Sequence, residues 1–309
     1  MADKKPVNHL DANESVFFKR QLEFVKGRTY DEKLADLKYQ MVLPVSAECP
    51  EGANEITWRS FSGVGLARII SDYAKDFPRT DIGGEEHTVK VKYVGSSYAY
   101  SLLEIRRAAY AGADLTNKRA VMARRAIEEK LNSLAWDGDV KAGVQGFIKY
   151  PGTTEYTVPA TGTGTTKTWS TKTAAQILTD LNGLKNAVMI GTSGKETINQ
   201  ILLPIAQYDL IKNTLIGTAS DTTVYEFFVR NNPGIAIDWV RELDGAGTLA
   251  TDMIIGYRKD AEHLTFEVPN AFQQLDEEHE GFEYKVACFA SCAGVIVYYP
   301  QSIAWAEGI

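Results

Sequence analysis

The stretch DFPRTDIGGEEHTVKVKYVGSSY, residues 76–98, is the segment whose reading decides the architecture. Within it Val89, Val91 and Tyr93 alternate with Lys90 and Lys92, the two-residue period of a strand with one apolar face. A partner strand reads at 55–61, EITWRSF. The residues between, 63–86, carry glycines at both ends and a proline, which predicts a long two-stranded arm with an irregular tip. Such an arm must lay its apolar face on something. Residues 46–97 hold no helix dense enough to cover it.

The whole chain has 309 residues, 44% hydrophobic and 24% charged, enough for one large core or two smaller ones. No apolar run approaches the roughly 18 residues of a membrane span, so no membrane partner is expected. The opening MADKKPVNHLDANESVFFKRQ (1–21) lacks the apolar segment of a secretory signal, and the chain reads as one that stays in the cytoplasm. Net charge is −7, from 33 basic and 40 acidic residues. That balance argues against a protein built to grip nucleic acid, which needs clustered Lys and Arg. It would suit a surface that lies beside nucleic acid without holding it, but on charge alone the ordinary acidic balance of a bacterial cytoplasmic protein takes precedence.

Three cysteines are present and no CxxC. Cys288 and Cys292 fall in VACFASCAGVIVYY (286–299), where strand geometry would hold them about 13 Å apart on one face, too far to bridge. With Cys49, all three read as small core residues in a reducing compartment.

No internal repeat is present. Two helical pieces are expected at 13–27, capped by Asn13, and at 29–40, capped by Thr29. Residues 42–100 read as extended. The longest helical pattern is DLTNKRAVMARRAIEEKLNSLAW (114–136), with Leu115, Ala120, Val121, Ala123, Ile127, Leu131 and Leu134 near helical spacing. Asp114 sits at its start, Gly138 just past its end, and Glu128 and Glu129 lie within reach of Arg124 and Arg125. At helical rise it extends about 34 Å. A loop rich in Gly, Thr and Pro follows at 137–171. The second half alternates: a helix from Thr171 or Thr173, a strand through Ile201 to Leu203, a helix after Pro204, a helix at 223–231, and strands at 235–243 and 252–260. This is an α/β module over about 170–260, and from Ala261 the chain is mostly strand.

Candidate chemistry is thin. GTSGKET (191–197) fails as a phosphate loop, because Gly191 is only three residues before Gly194 and Glu196 stands where the magnesium-binding hydroxyl belongs. GVGLAR (63–68) and GTGTT (162–166) lack the context of a dinucleotide turn and read as turn glycines. His9, His87, His263 and His279 are scattered without ligand spacing, so no metal is expected. DEEHEGFE (276–283) leaves two readings, a divalent-ion site or a solvated or subunit-facing acidic loop. DGD (137–139) lacks the later ligands of a calcium loop, and no GxSxG elbow places a nucleophile. No cofactor and no enzyme are expected.

Three stretches in order resemble one family, the major capsid proteins of tailed bacteriophages with the fold of the Hong Kong ninety-seven phage. LNSLAWDGDVKAGVQGFIKYPGTTEYTVP (131–159) matches as a long helix ending in an aromatic, then Gly138, Gly143, Gly146, Phe147 and Pro151. INQILLPIAQYDLIKN (198–213) is similar to the strand-to-helix element of the family's central module. The third is 266–309, where Gly294, Val295, Pro300, Ile303, Gly308 and Ile309 fall on an apolar strand and its closing turn. Encapsulins, bacterial shell proteins of the same fold, are the nearest alternative. A monomeric α/β enzyme is a third reading, and it requires titratable residues converging on one pocket.

The resemblance implies an α+β fold with an N-terminal arm (1–27), an extended β-hairpin loop (47–98), and a peripheral domain (28–46, 99–169 and 261–309) that includes the spine helix 114–136. An axial α/β domain (170–260) completes it. It implies a structural protein of the virion head, assembling in the bacterial host cytoplasm as hexamers and pentamers of a closed icosahedral shell. Portal and scaffolding proteins are the further expected partners, with packaged double-stranded DNA touched weakly and without specificity. Some relatives begin with a cleaved scaffolding segment, for which this chain has no room. Others weld subunits through a lysine and an asparagine. Lys75, Lys90 and Lys92 lie in the right segment, but no activated asparagine is evident and no cross-link is predicted. A hairpin that cannot bury its own apolar face is stable against another copy. The residues expected at that contact are Ile56, Trp58, Phe61, Phe77, Ile82, Val89, Val91 and Tyr93. The alternative is a hairpin folded back on its own spine helix.

Overall fold

The computed structural model describes residues 34–65, 79–111, 115–217 and 221–309. The expected arm at 1–27 and the caps Asn13 and Thr29 lie outside them. Of the helix expected at 29–40, the described part is irregular up to a single turn, α1 (Tyr39–Val42), which leads to a short strand, β1 (Val45–Ser46). The ribbon follows as β2 (Glu55–Val64) and β3 (Asp81–Lys90). β4 (Lys92–Ser101) runs straight into α2 (Leu102–Ala111), a helix absent from the sequence reading, and then α3 (Leu115–Trp136) forms the spine.

Ala123, Ile127, Leu131, Leu134 and Ala135 turn the spine inward, and all are buried. Val121, expected with them, is 65% exposed. It lies two residues from Ala123, about 200° round the helix, so the two cannot share a face. Arg124 pairs with Glu128 at 2.9 Å and Arg125 with Glu129 at 2.8 Å along the outer surface.

The end of the spine explains the glycine motif. A small hairpin, β5 (Gly138–Asp139) and β6 (Val144–Gln145), folds back so that the amides of Phe147 and Ile148 donate to the carbonyls of Ala135 and Trp136, each at 2.9 Å. A Cβ on Gly146 would stand 2.4 Å from the Gly138 nitrogen, and one on Gly138 equally close to Gly146, so only glycines permit this backbone contact. Phe147 is thereby driven into the core against Trp136 and Tyr257.

The second half supplies β7 (Thr154–Glu155), α4 (Ala174–Gly191), β8 (Gln200–Leu203), α5 (Ile205–Asn213), α6 (Val224–Asn231), β9 (Ala236–Trp239) and β10 (Met253–Tyr257). Its helix starts follow local sequence: Thr173 with Gln176 and Thr223 with Glu226 form capping boxes, and Pro204 opens α5. The last segment gives β11 (Leu264–Glu267), β12 (Asn270–Gln274), β13 (Glu278–Glu280), β14 (Glu283–Cys292), β15 (Gly294–Val297) and β16 (Ala304–Glu307).

A five-stranded mixed sheet runs β7-β16-β10-β8-β9. β16 comes from the segment expected in the peripheral domain, yet it pairs antiparallel with β10 in the middle of this sheet. The α/β module therefore draws on residues beyond its expected end at 260. Side chains alternate across the sheet. Ile201, Leu203, Ile254 and Ala306 face the helices α4 to α6, whereas Leu202, Met253, Ile255 and Tyr257 face a second core containing the spine. The sheet is a wall common to both cores, which is why its strands read as unbroken apolar runs.

Around the second core, β4 pairs along its whole length with β14, while β12 and β13 share the other edge of β14. Cys288 and Cys292 are buried on β14 and unbridged, and burial pushes the Cys292 thiol up to about 12. Cys49 is only partly buried, so it is not the core residue the sequence suggested.

Under α4 the Lys172 ammonium, fully buried, bonds Asp180 Oδ2 at 2.6 Å and the Pro159 carbonyl at 2.8 Å. Trp169 Nε1 donates to the same carboxylate at 3.0 Å. Burial raises the Asp180 pKa, and the lysine and indole oppose that rise. Removing the cation leaves a buried carboxylate unpaired, so Lys172→Met should destabilise the subunit by about 3–5 kcal/mol. Arg124→Ala, at an exposed i,i+4 pair, should cost about 0.5 kcal/mol or less. Denaturant unfolding of dispersed subunits measures both, and equal effects would contradict the burial.

Candidate assembly surface

The ribbon β2–β3 is antiparallel from Glu55↔Lys90 to Val64↔Asp81. This register sorts its side chains. Ile56 lies opposite Val89, and Trp58 stacks on His87 at 5.3 Å, on one face near the root. On the other face Thr57 and Thr88 share a hydrogen bond of 2.9 Å, and Arg59 donates to Glu86 at 2.7 Å. Further out on that second face, Phe61 lies over Gly84, with Ile82 opposite Gly63. The expected apolar residues are thus divided between the two faces, root and tip, because Phe61 and Ile82 are an odd number of residues from Trp58 and Val89.

Val91 and Tyr93 leave the ribbon altogether. The Val91 amide donates to the Asn54 carbonyl at 2.9 Å, closing the root, and Tyr93 belongs to β4, opposite Ser291 on β14. Its ring stands 6.2 Å from Phe289 and remains 59% exposed. Phe77 lies outside the described residues.

At the root Trp58 meets Tyr298 of the body edge to face at 5.9 Å. Beyond that the ribbon is uncovered. Residues 59–63 and 81–88 are all exposed, Phe61 at 73% and Ile82 at 69%. The fold-back onto the spine helix is therefore not what these strands do. A two-stranded ribbon alone in water is marginal, so this one lacks a layer. Exposed apolar side chains also stand on α2 and α3, including Leu103, Tyr110 and Met122.

Two open grooves flank β4, one of about 590 Å³ lined by Tyr100, Glu104, Arg119, Glu280 and Glu283. The other, of about 390 Å³ between β4 and α3, is lined by Ser96, Ser97, Lys118, Arg119, Met122 and Ala126. Arg119 is committed there, donating to Glu104 at 2.9 Å and to the Ala99 carbonyl at 2.6 Å. His263 is buried beside Glu196 at 3.0 Å and Asp260 at 3.7 Å, under the ring of Tyr299, away from that groove's lining. Residues 191–197 form the turn between α4 and β8. Residues 276–283 form an exposed β-hairpin tip, with Glu277 accepting from the Tyr100 hydroxyl at 2.7 Å, which raises that phenol to about 12. Among the described residues no group of three or more His, Cys, Asp or Glu could hold a metal, and no helix is long and apolar enough to cross a membrane.

Solved structures of capsids share this fold over nearly its whole length. The capsid protein of the Myoviridae phage XM1 superposes with a TM-score of 0.82 at 16% identity, covering 96% of this chain and 99% of the other. The capsid of a native GTA particle gives 0.65 at 9% identity, covering 94% and 96%. A virus-like particle from Pyrococcus furiosus gives 0.52 at 11%, covering 87% and 91%. No curated protein sequence matches. The family model for the major capsid protein matches residues 65–309, and the chain belongs to that family. It is a structural protein of a capsid shell, and its copies associate with one another there.

The exposure in question is directly measurable in the subunit. Phe61→Ser should leave its unfolding free energy within about 0.5 kcal/mol, as at other open surface positions. Trp58→Ala should lower it by about 1 kcal/mol, through the loss of two aromatic contacts. A large loss for Phe61→Ser would mean that the tip is already covered within one chain.

Proposed function

We propose that this protein forms the icosahedral head shell of a tailed phage, as hexamers and pentamers closed around double-stranded DNA. The observation that carries the reading is the uncovered ribbon: an ordered two-stranded sheet whose tip side chains Phe61 and Ile82 stand in solvent. A neighbouring copy is the cover it fits. Ile56, Trp58, Phe61, Ile82 and Val89 form the ribbon's share of the contact, with Tyr93 on the adjoining sheet and Val91 at the hinge between them. Charge supports a receiving surface on the neighbour's α2 and α3, since β3 exposes Asp81, Glu85 and Glu86 while α2 exposes Arg106 and Arg107. The module of α4 to α6 with its five-stranded sheet is the axial part, meeting its neighbours head to tail in closed rings.

The protein acts mechanically and not as an enzyme. Net charge of −7 keeps its contact with packaged DNA weak. Portal and scaffolding proteins are its further partners, and assembly takes place in the host cytoplasm, where the shell becomes the head of the virion. A compartment shell of the encapsulin kind is the second reading, on the same fold, with protein cargo in place of DNA.

Electron microscopy of the chain expressed with its neighbouring structural genes should show closed particles holding nuclease-protected double-stranded DNA. Particles filled with a protein cargo would transfer the assignment to the second reading. A chain that stays monomeric under those conditions would sink both. Phe61→Asp and Ile82→Asp should reduce particle yield at least about tenfold, with subunits that still fold, because a desolvated carboxylate at a contact centre costs several kcal/mol.

A further inference from the structure

Five non-glycine residues among those described adopt left-handed backbone, and three of them converge on one loop between β9 and β10. Leu249 (φ 60°) and Ala250 (φ 57°) are its tip, and Lys149 (φ 52°) reaches it from the body. An L-residue there presses its Cβ toward the following carbonyl, which is why glycine or asparagine normally fills such positions. This loop already uses Gly245 and Gly247, yet places leucine and alanine at the strained pair. Leu249 is 95% exposed.

The tip is nevertheless held firmly. The Gly247 amide donates to the Thr251 carbonyl at 2.7 Å, and the Thr251 hydroxyl to the Thr248 carbonyl at 3.0 Å. Glu307 on β16 accepts from the Thr248 amide at 2.9 Å and hydroxyl at 3.0 Å. The Lys149 ammonium donates to the same carboxylate at 2.9 Å, and with the Thr248 amide it holds the Glu307 carboxyl below its usual range. Strained backbone persists only where its surroundings over-determine it, and a side chain fixed in advance loses less freedom when it is bound. The surroundings are polar and internally neutralised, as at the rim of a protein contact. Lys149 is occupied by Glu307, so the tip offers phosphate no free cation.

We propose that Leu249 is a preformed anchor that inserts into a second copy of this chain. A second copy is the partner because copies of this family member associate in its shell, and each presents the same loop. The inference rests on that shell reading. It adds a contact remote in sequence from the ribbon, projecting from the five-stranded sheet.

The test uses emptied particles containing only this chain, with Cys49→Ser as background so that the other two thiols are buried. In Leu249→Cys, maleimide should react at least about tenfold more slowly in particles than in dispersed subunits. Leu249→Asp should keep the subunit folded, with a melting temperature within about 2 °C of wild type, and lose at least about nine-tenths of particle yield. Leu249→Gly removes the strain, so it should raise the melting temperature by about 2 °C while still lowering yield. Equal labelling in both states, or wild-type particle yield from Leu249→Asp, overturns the proposal. So does protection that appears only when another protein is added. If Leu249→Asp fails to fold, the labelling and the glycine variant still decide. Absence of particles from the wild-type chain would instead strike at the shell reading.

Discussion

Burial of both faces of the five-stranded sheet is the constraint from which the rest of the body follows. Leu202, Ile255 and Tyr257 look toward the spine helix, while Ile201, Leu203 and Ile254 look toward α4 to α6. A one-residue slip of any central strand would exchange these sets and disrupt both cores together, so the register is fixed from two sides. The two cores consequently have no linker between them and meet along this sheet. The Tyr257 hydroxyl, at 2.7 Å from the Val42 carbonyl, ties the segment before the ribbon to that wall as well.

Against this well-packed body the ribbon is the opposite physical case. Its hydrogen bonds run in register over ten pairs, but beyond the root, where Trp58 meets Tyr298, the side chains of 59–63 and 81–88 are all exposed. Backbone pairing gives it direction; it does not give it a core. The same division appears at the loop of Leu249, where ordered hydrogen bonds hold an apolar side chain in water. A chain that orders its extensions without covering them is suited to contacts repeated between identical copies, each supplying a layer the other lacks.

Much of this was legible because it is local. Thr173, Pro204 and Thr223 mark helix starts through interactions within one turn, and the spine ends where Gly138 predicts. The ribbon's existence was legible too, from two-residue alternation. Its end was not. The alternation in Val89, Lys90, Val91, Lys92 and Tyr93 continues through the break, and what ends the ribbon at Lys90 is the pairing of Lys92 with Cys292, two hundred residues away. The helix α2 was hidden by its continuity with β4, since Ser101 passes directly into Leu102 without a turn.

By itself, then, the sequence determined the elements whose causes lie within a few residues: caps, periodicity, the tight glycine turn after the spine, and the presence of a strand pair with no helix to cover it. Tertiary structure alone decided which sheet each strand joins, that β16 returns to lie beside β10, and that the ribbon's apolar side chains divide between two faces. It alone revealed the loop around Leu249, because the residues that hold it, Lys149 and Glu307, lie 158 positions apart in the sequence. Propensity acts over one turn of chain, whereas pairing partners and burial are settled by residues that only the fold brings together.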